Sequence, residues 1–260
     1  MSDYTLAQRS DPVAEQARLE RIHGYQDPPT IRRLEALGVT AGWHCLDVGA
    51  GGGSIAAWLG NRVGPTGRVL ATDLEIDALR AAAGDTVDVR RHDVRSEPLP
   101  ESAFDLVHAR LLLTHLPERE DVLRSMIHAA RPGGWVLIGD IDFSTVRTAR
   151  PAPVMDRMLV AFDTAVRAAG WDPALGPQLP AMLEAAGLSG VEAENSQAHQ
   201  RGGGPVPSIL TMTYRRLRPL LLAGGMIGEQ DIEQVGRWLA DPGNAVYGPT
   251  IWAAWGRRPD

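Results

Sequence analysis

The chain has 260 residues, 44% of them hydrophobic and 22% charged, a balance that supports a packed core and gives no sign of disorder. Its formal charge of -6 supplies no overall field to attract a phosphate backbone, so nucleic acid is not an expected partner. No stretch reaches the roughly 18 apolar residues of a membrane span, and "MSDYTLAQRSDPVAEQARLERIHGY" lacks a basic and then apolar leader, so a cytoplasmic location without membrane contact is expected.

Residues 1–40 read as an N-terminal helical cap segment. From Trp43 to Ser144 strand-like and helix-like stretches alternate, the pattern of a parallel sheet with helices on both faces. "HCLDVG" is the first strand; "SIAAWLGNRVG" is a helix with Ile55, Trp58, Leu59 and Val63 on one side. After the turn "GPTG" come the strand "RVLATD", the helix "EIDALRAAAG" and the strand "VDVRRHDV". "FDLVHA" is a fourth strand, "LPEREDVLRSMIHAA" a helix opened by Pro117, "RPGG" a turn and "WVLIGDIDF" a fifth strand. The alternation then breaks at two helical inserts, about 145–172 and 205–241, within a domain over 41–260. Between and after the inserts lie "LPAMLEAAGL" (helix), "VEAENSQAHQ" (strand) and "TIWAAWGRR" (last strand), with no internal repeat. Cys45 is the only cysteine and sits in an apolar run, where a buried structural thiol is expected.

The most informative stretch is "LDVGAGGGSIAAWL" from Leu46 to Leu59. A dinucleotide turn asks for G-x-G-x-x-G, but here Ser54 takes the place of the last glycine, and Asp47 would oppose a pyrophosphate. A ligand with a positive head and no phosphate fits better. S-adenosylmethionine is such a ligand: its ammonium and sulfonium suit Asp47, its carboxylate suits a helix N-terminus, and bare glycines allow close backbone approach.

With "LDVGAGGG", "ATDLE", "RHDV", "FDLVHARLLLTHLP" and "ARPGGWVLI" in this order, the chain resembles the class I S-adenosylmethionine-dependent methyltransferases, from about Ile31 to the C-terminus. Its flavour is that of the quinone-biosynthesis and actinobacterial small-molecule subset, whose final strand reads like "AWGRRP". The resemblance implies a Rossmann-like seven-stranded sheet of order 3-2-1-4-5-7-6 with strand 7 antiparallel. It implies that S-adenosyl-L-methionine contacts Asp47, Gly49, Gly51 and Gly53, that Asp73 with Leu74 takes the ribose hydroxyls, that Asp93 and Val94 take the adenine, and that Ala109 and Arg110 offer backbone contact. A carboxylate such as Asp73 can accept from both ribose hydroxyls, and Asp93 can accept from an exocyclic amine.

Methyl transfer is an in-line displacement that needs alignment and, for a weakly acidic acceptor, proton removal. His115, in "LLLTHLP", is the candidate general base or substrate orienter; the alternative is a cap of the following helix. Tyr25 either closes over the methionine end of the cofactor or packs as a loop-edge aromatic. Asp140 and Asp142 lack an acidic partner on the fourth strand, and the histidines show no ligand spacing, so no metal is expected.

"HARL" stands where a nucleic-acid amino-methyltransferase would carry its Asn/Asp-Pro-Pro-aromatic motif, so the expected acceptor is a small, mostly hydrophobic molecule, as in secondary metabolism. Met155, Met158, Phe162, Trp171, Met212 and Tyr214 are available to line its pocket, although most belong to a core. A monomer or homodimer is expected. Two alternatives stay open: a methyltransferase-like protein that uses the cofactor without methyl transfer, as some cyclases do, and an NAD-dependent oxidoreductase.

Overall fold

The structure is a computed structural model, and residues 12–260 are described. The chain divides into two compact units: one holds the described residues up to Tyr25, Ile141–Ala174 and Asn195–Ile251, the other Gln26–Asp140, Leu175–Glu194 and Trp252–Asp260. Helix α1 (Pro12–Ala36) gives its earlier turns to the first and its later turns to the second.

The second unit is built on a seven-stranded sheet. Its strands are β1 (His44–Val48), β2 (Arg68–Asp73), β3 (Val87–Arg91), β4 (Phe104–Arg110), β5 (Ala130–Asp142), β7 (Ser189–Ser196) and β10 (Thr250–Arg257). The order is β3-β2-β1-β4-β5-β10-β7, which is the expected 3-2-1-4-5-7-6. Strands β1 to β5 pair in parallel, and β1 lies at the reversal of strand order, between β2 and β4. Central β1 and β4 are almost wholly buried, as parallel strands covered on both faces must be. Helix α2 (Ser54–Val63) buries Ile55, Leu59 and Val63 at helical spacing against a core that includes Leu34, Val69, Leu79, Leu106 and Trp255. Gly64, at φ +64, ends it by returning its N–H to Gly60 O. Cys45 is buried in the same core, and burial pushes its thiol up.

Several element boundaries differ from expectation. Helix α3 is Asp77–Ala82, not from Glu75, because the Glu75 amide is turned to Oδ1 of Asp73 at 3.1 Å. Helix α4 is Arg119–Ala129, preceded by a separate 3-10 turn at Leu113–His115 and by Pro117. "RPGG" is not a turn before β5 but a bulge within it: Ala130 pairs with Phe104 and Trp135 with Leu106, so residues 131–134 are looped out, with Gly133 at φ +71. Helix α6 is Leu179–Ala185.

The first unit is helical. It holds α5 (Pro153–Ala168), α7 (Pro205–Arg216), α8 (Arg218–Ala223) and α9 (Glu229–Ala240), and a small sheet of β6 (Arg147–Thr148), β9 (Ala245–Tyr247) and β8 (His199–Arg201). Pro153 and Pro205 open their helices, where a missing N–H costs nothing. Pro219 separates α8 from α7, so the apolar run Ile209–Leu222 is two helices and not one. The expected strand "VEAENSQAHQ" is likewise two, β7 and β8, because the Gln197 side chain turns away to donate to Thr145 O at 3.0 Å and Gly248 O at 2.9 Å. Met155, Met158, Phe162 and Tyr214 are buried in this unit's core, with Tyr25 and Trp171 packed against it. The Phe162 ring stacks on Phe143 at 4.7 Å and meets the edge of Tyr214 at 5.7 Å.

Candidate cofactor site

The site forms where β1 ends. In register, Val48 lies between Thr72 of β2 and Ala109 of β4, so residues 49–53 leave the sheet at the crevice where strand order reverses. Ala50 donates to Thr72 O at 3.0 Å and Gly53 to Ala50 O at 2.9 Å, closing the turn that delivers the chain to α2.

The three glycines serve different purposes. Gly49, Gly51 and Gly53 all have positive φ, at 68°, 56° and 79°. A Cβ on Gly53 would lie 2.8 Å from Leu79 Cδ1, and one on Gly49 3.0 Å from Leu112 Cδ1, so these two permit packing. A Cβ on Gly51 would meet nothing within 4 Å. It would project into open space, and a ligand approaching the turn needs that space.

Asp73, the last residue of β2, is half-buried and has both oxygens engaged by backbone: Oδ2 accepts from Gly51 N at 2.8 Å and Oδ1 from Glu75 N. Burial is the larger influence, and it raises this carboxyl above its usual range in spite of those hydrogen bonds; the charge of Asp47 adds to the rise. Leu74 follows, its carbonyl accepting from Arg91 Nε at 3.1 Å. Asp93 and Val94 lie just past the end of β3, both half-buried. The guanidinium of Arg95 grips both Asp93 oxygens, at 2.9 and 2.7 Å, and holds that carboxyl below its usual range. Oδ1 also accepts from the Arg95 amide at 3.1 Å, so Oδ2 is the oxygen that retains a lone pair for another donor.

Asp47 is buried rather than displayed, at 3% exposure. Its Oδ1 is 2.7 Å from Nδ1 of His108, itself 2% exposed. Ala109 is fully buried in β4. The side chain of Arg110 is held by α1, with Nη2 2.7 Å from Asp27 Oδ1 and Nη1 3.1 Å from Thr30 Oγ1, so only its backbone is left for a ligand. Gly139 of β5 makes room for it, since a Cβ there would sit 3.3 Å from Arg110 Cγ. Leu111 takes φ +55, a strained conformation for a branched side chain, directly after the strand. His115 is half-buried at the end of the 3-10 turn; in the same turn Thr114 donates its amide to the buried Asp140 at 3.0 Å. Oδ1 of Asp142 accepts from both the amide and the hydroxyl of Ser144.

The later turns of α1 add a group that the motifs do not contain. Gln26 lies one residue from Asp27 and one helical turn from Thr30, the two side chains that Arg110 holds. It is buried, and its amide oxygen has no hydrogen-bond partner among the described residues. Tyr25 belongs to the helical unit, where burial raises its phenol. Of these residues Gln26 lies outside the motifs, while His108 lies within the fourth-strand motif with no role given to it there; the signal for His108 was a polar residue in the interior of an otherwise apolar strand stretch, "LVHA".

A sheet of this order with an acid-flanked glycine turn at its switch point defines a Rossmann-like methyltransferase fold. The comparisons agree. Residues 46–138 match the family model described as "Methyltransferase domain". The chain is 32% identical over 216 residues to the methyltransferase GfsG of Streptomyces halstedii, covering 75% of this chain and 67% of that one. It is also 32% identical over 191 residues to the methyltransferase str2 of Strobilurus tenacellus, covering 72% and 66%. The ubiquinone/menaquinone biosynthesis C-methyltransferase UbiE of Pseudomonas fluorescens is 30% identical over 137 residues, 50% of this chain and 53% of its own. The matches therefore span from about half to two thirds of these relatives' length. Among solved structures, the YcgJ protein of Bacillus subtilis superimposes with a TM-score of 0.58 at 14% identity, over 88% of this chain and 97% of that one. Phosphoethanolamine N-methyltransferase 2 of Haemonchus contortus, in complex with S-adenosyl-L-methionine, gives 0.56 at 16%, over 90% and 53%. The chain belongs to the class I S-adenosylmethionine-dependent methyltransferases.

Proposed function

We propose that the protein transfers a methyl group from S-adenosylmethionine to a small, mostly hydrophobic acceptor. The observation that carries this reading is the pairing of Gly51 with Asp73: an open, side-chain-free turn next to a half-buried carboxylate that the turn itself holds. The orphaned amide oxygen of Gln26 supports it, because a buried acceptor without a donor suits a ligand that brings one.

When bound, the donor supplies a methyl group activated by a sulfonium. The chain's residues do the rest. Asp73 accepts hydrogen bonds from the ribose diol, and Asp93 and Val94 face the adenine. Asp47 offers negative charge to the amino-acid end, Gly49 and Gly51 let the backbone approach, and Ala109 and Arg110 contribute backbone. Tyr25 shields the methionine end. His115 takes the acceptor's proton or orients the acceptor. Excluding nucleic acid as acceptor rests on the charge of -6 and on "HARL". The same reading has the protein work in the cytoplasm as a monomer or homodimer; no described helix is long and apolar enough to cross a membrane.

The test incubates the protein with S-adenosylmethionine and a panel of small phenols, quinols and macrolactones, and follows products by mass spectrometry. The expected result is a gain of one methylene mass together with formation of S-adenosylhomocysteine. Binding of the donor with a changed but unmethylated product would instead favour cofactor use without transfer.

A further inference from the structure

Asp47 and His108 are lateral neighbours in the β1–β4 register and share one buried hydrogen bond. The register pairs on either side, Leu46 with Val107 and Val48 with Ala109, are apolar and buried. A carboxylate and an imidazole in such a layer are costly to desolvate, and an apolar pair of similar volume would serve the sheet as well or better. Stability therefore does not account for the couple. Among the described residues, His108 supplies the one hydrogen bond that reaches the Asp47 carboxylate. Asp47 also precedes the first positive-φ glycine of the turn, Gly49, by only two residues.

We propose that His108 is a positioning residue for the methyl donor. An ionised carboxylate can only accept, so the shared hydrogen is on Nδ1, and the imidazole donates it to Oδ1 of Asp47. That bond fixes the plane of the carboxylate, which leaves Oδ2 for the ammonium at the donor's amino-acid end. The proposal rests on the reading of the glycine turn as the donor's site.

The test measures binding of S-adenosylmethionine and of S-adenosylhomocysteine to the whole chain by calorimetry, which needs no acceptor, with thermal unfolding alongside. Both ligands carry the ammonium, so His108→Leu and Asp47→Asn should each weaken both by about tenfold. His108→Asn presents an amide N–H close to where Nδ1 stood, and it should bring both affinities back to within about threefold of the parent. An Asn variant that binds no better than the Leu variant overturns the proposal, as does a loss confined to the sulfonium ligand. Weakening by Asp47→Asn without weakening by His108→Leu overturns the positioning role and leaves the donor site standing. A parent chain that binds neither ligand overturns the donor site and the proposal with it. Where His108→Leu does not fold, His108→Asn against Asp47→Asn decides: retained affinity supports the role of His108, and equal loss overturns it.

Discussion

The amide of Gly51 donates a 2.8 Å hydrogen bond to Oδ2 of Asp73, tying the turn after β1 to the last residue of β2. Asp73 is thus fixed against the turn at a cost, since burial raises its carboxyl. For an acid whose folded-state value is raised, the stabilising contribution is present below the unfolded value and is lost as pH rises through the folded one. Asp73→Asn removes the charge and keeps an acceptor oxygen. The ligand-free variant should unfold at no lower temperature than the parent at neutral pH, with its relative advantage shrinking in acid. Donor affinity should fall by about tenfold or more. Thermal unfolding across pH and calorimetry read the two effects separately.

Gly51 and Gly53 should respond differently to a methyl group. Gly51→Ala meets no neighbour but holds a positive φ, so it should cost about 1 kcal/mol of stability while blocking the donor. Gly53→Ala meets Leu79 Cδ1 at 2.8 Å and Ala82 Cβ at 3.2 Å, so it should cost about 2 kcal/mol or more. Denaturant unfolding ranks the two; donor binding by the Gly51→Ala variant at parent affinity would show that the open space is not used.

The Asp93–Arg95 pair has the opposite pH sign from Asp73. Arg95 lowers the Asp93 carboxyl, so the stabilisation is present above the unfolded value and is lost as pH falls through the folded one. Both side chains are about one quarter exposed, so the pair is worth under about 1 kcal/mol. Arg95→Gln should lower stability slightly at neutral pH and not at all in acid. A deficit that persists unchanged in acid would place the effect outside this pair.

For His115, His115→Ala should lower turnover by about a hundredfold if the imidazole removes a proton, with donor affinity unchanged. Turnover within about threefold of the parent would remove the base role and leave the helix-capping alternative.

Much of this site is local and so could be read from sequence. The glycine spacing, Asp73 at a strand end and Asp93 just past another are each set within a few residues of their own strand. The pairs are not local. His108 meets Asp47 across 61 positions, through a register that no periodicity encodes. Arg110 reaches Asp27 across 83 positions, so a residue placed in the site by its motif has its side chain elsewhere. The bulge at residues 131–134 and the break at Gln197 depend on partner strands, and β6 and β9 are too short to show an alternation.

The later turns of α1 are fastened by residues far along the chain. Arg33 pairs with Glu194 of β7 and lies 3.7 Å over the ring of Trp255 in β10, while Arg110 holds Asp27 and Thr30. A segment that precedes every strand of the sheet can therefore take its final place only after β10 has been made. Until then the contacts that fasten α1 beside β4 and β10 cannot all form, which makes this helix dependent on pairings of high sequence separation.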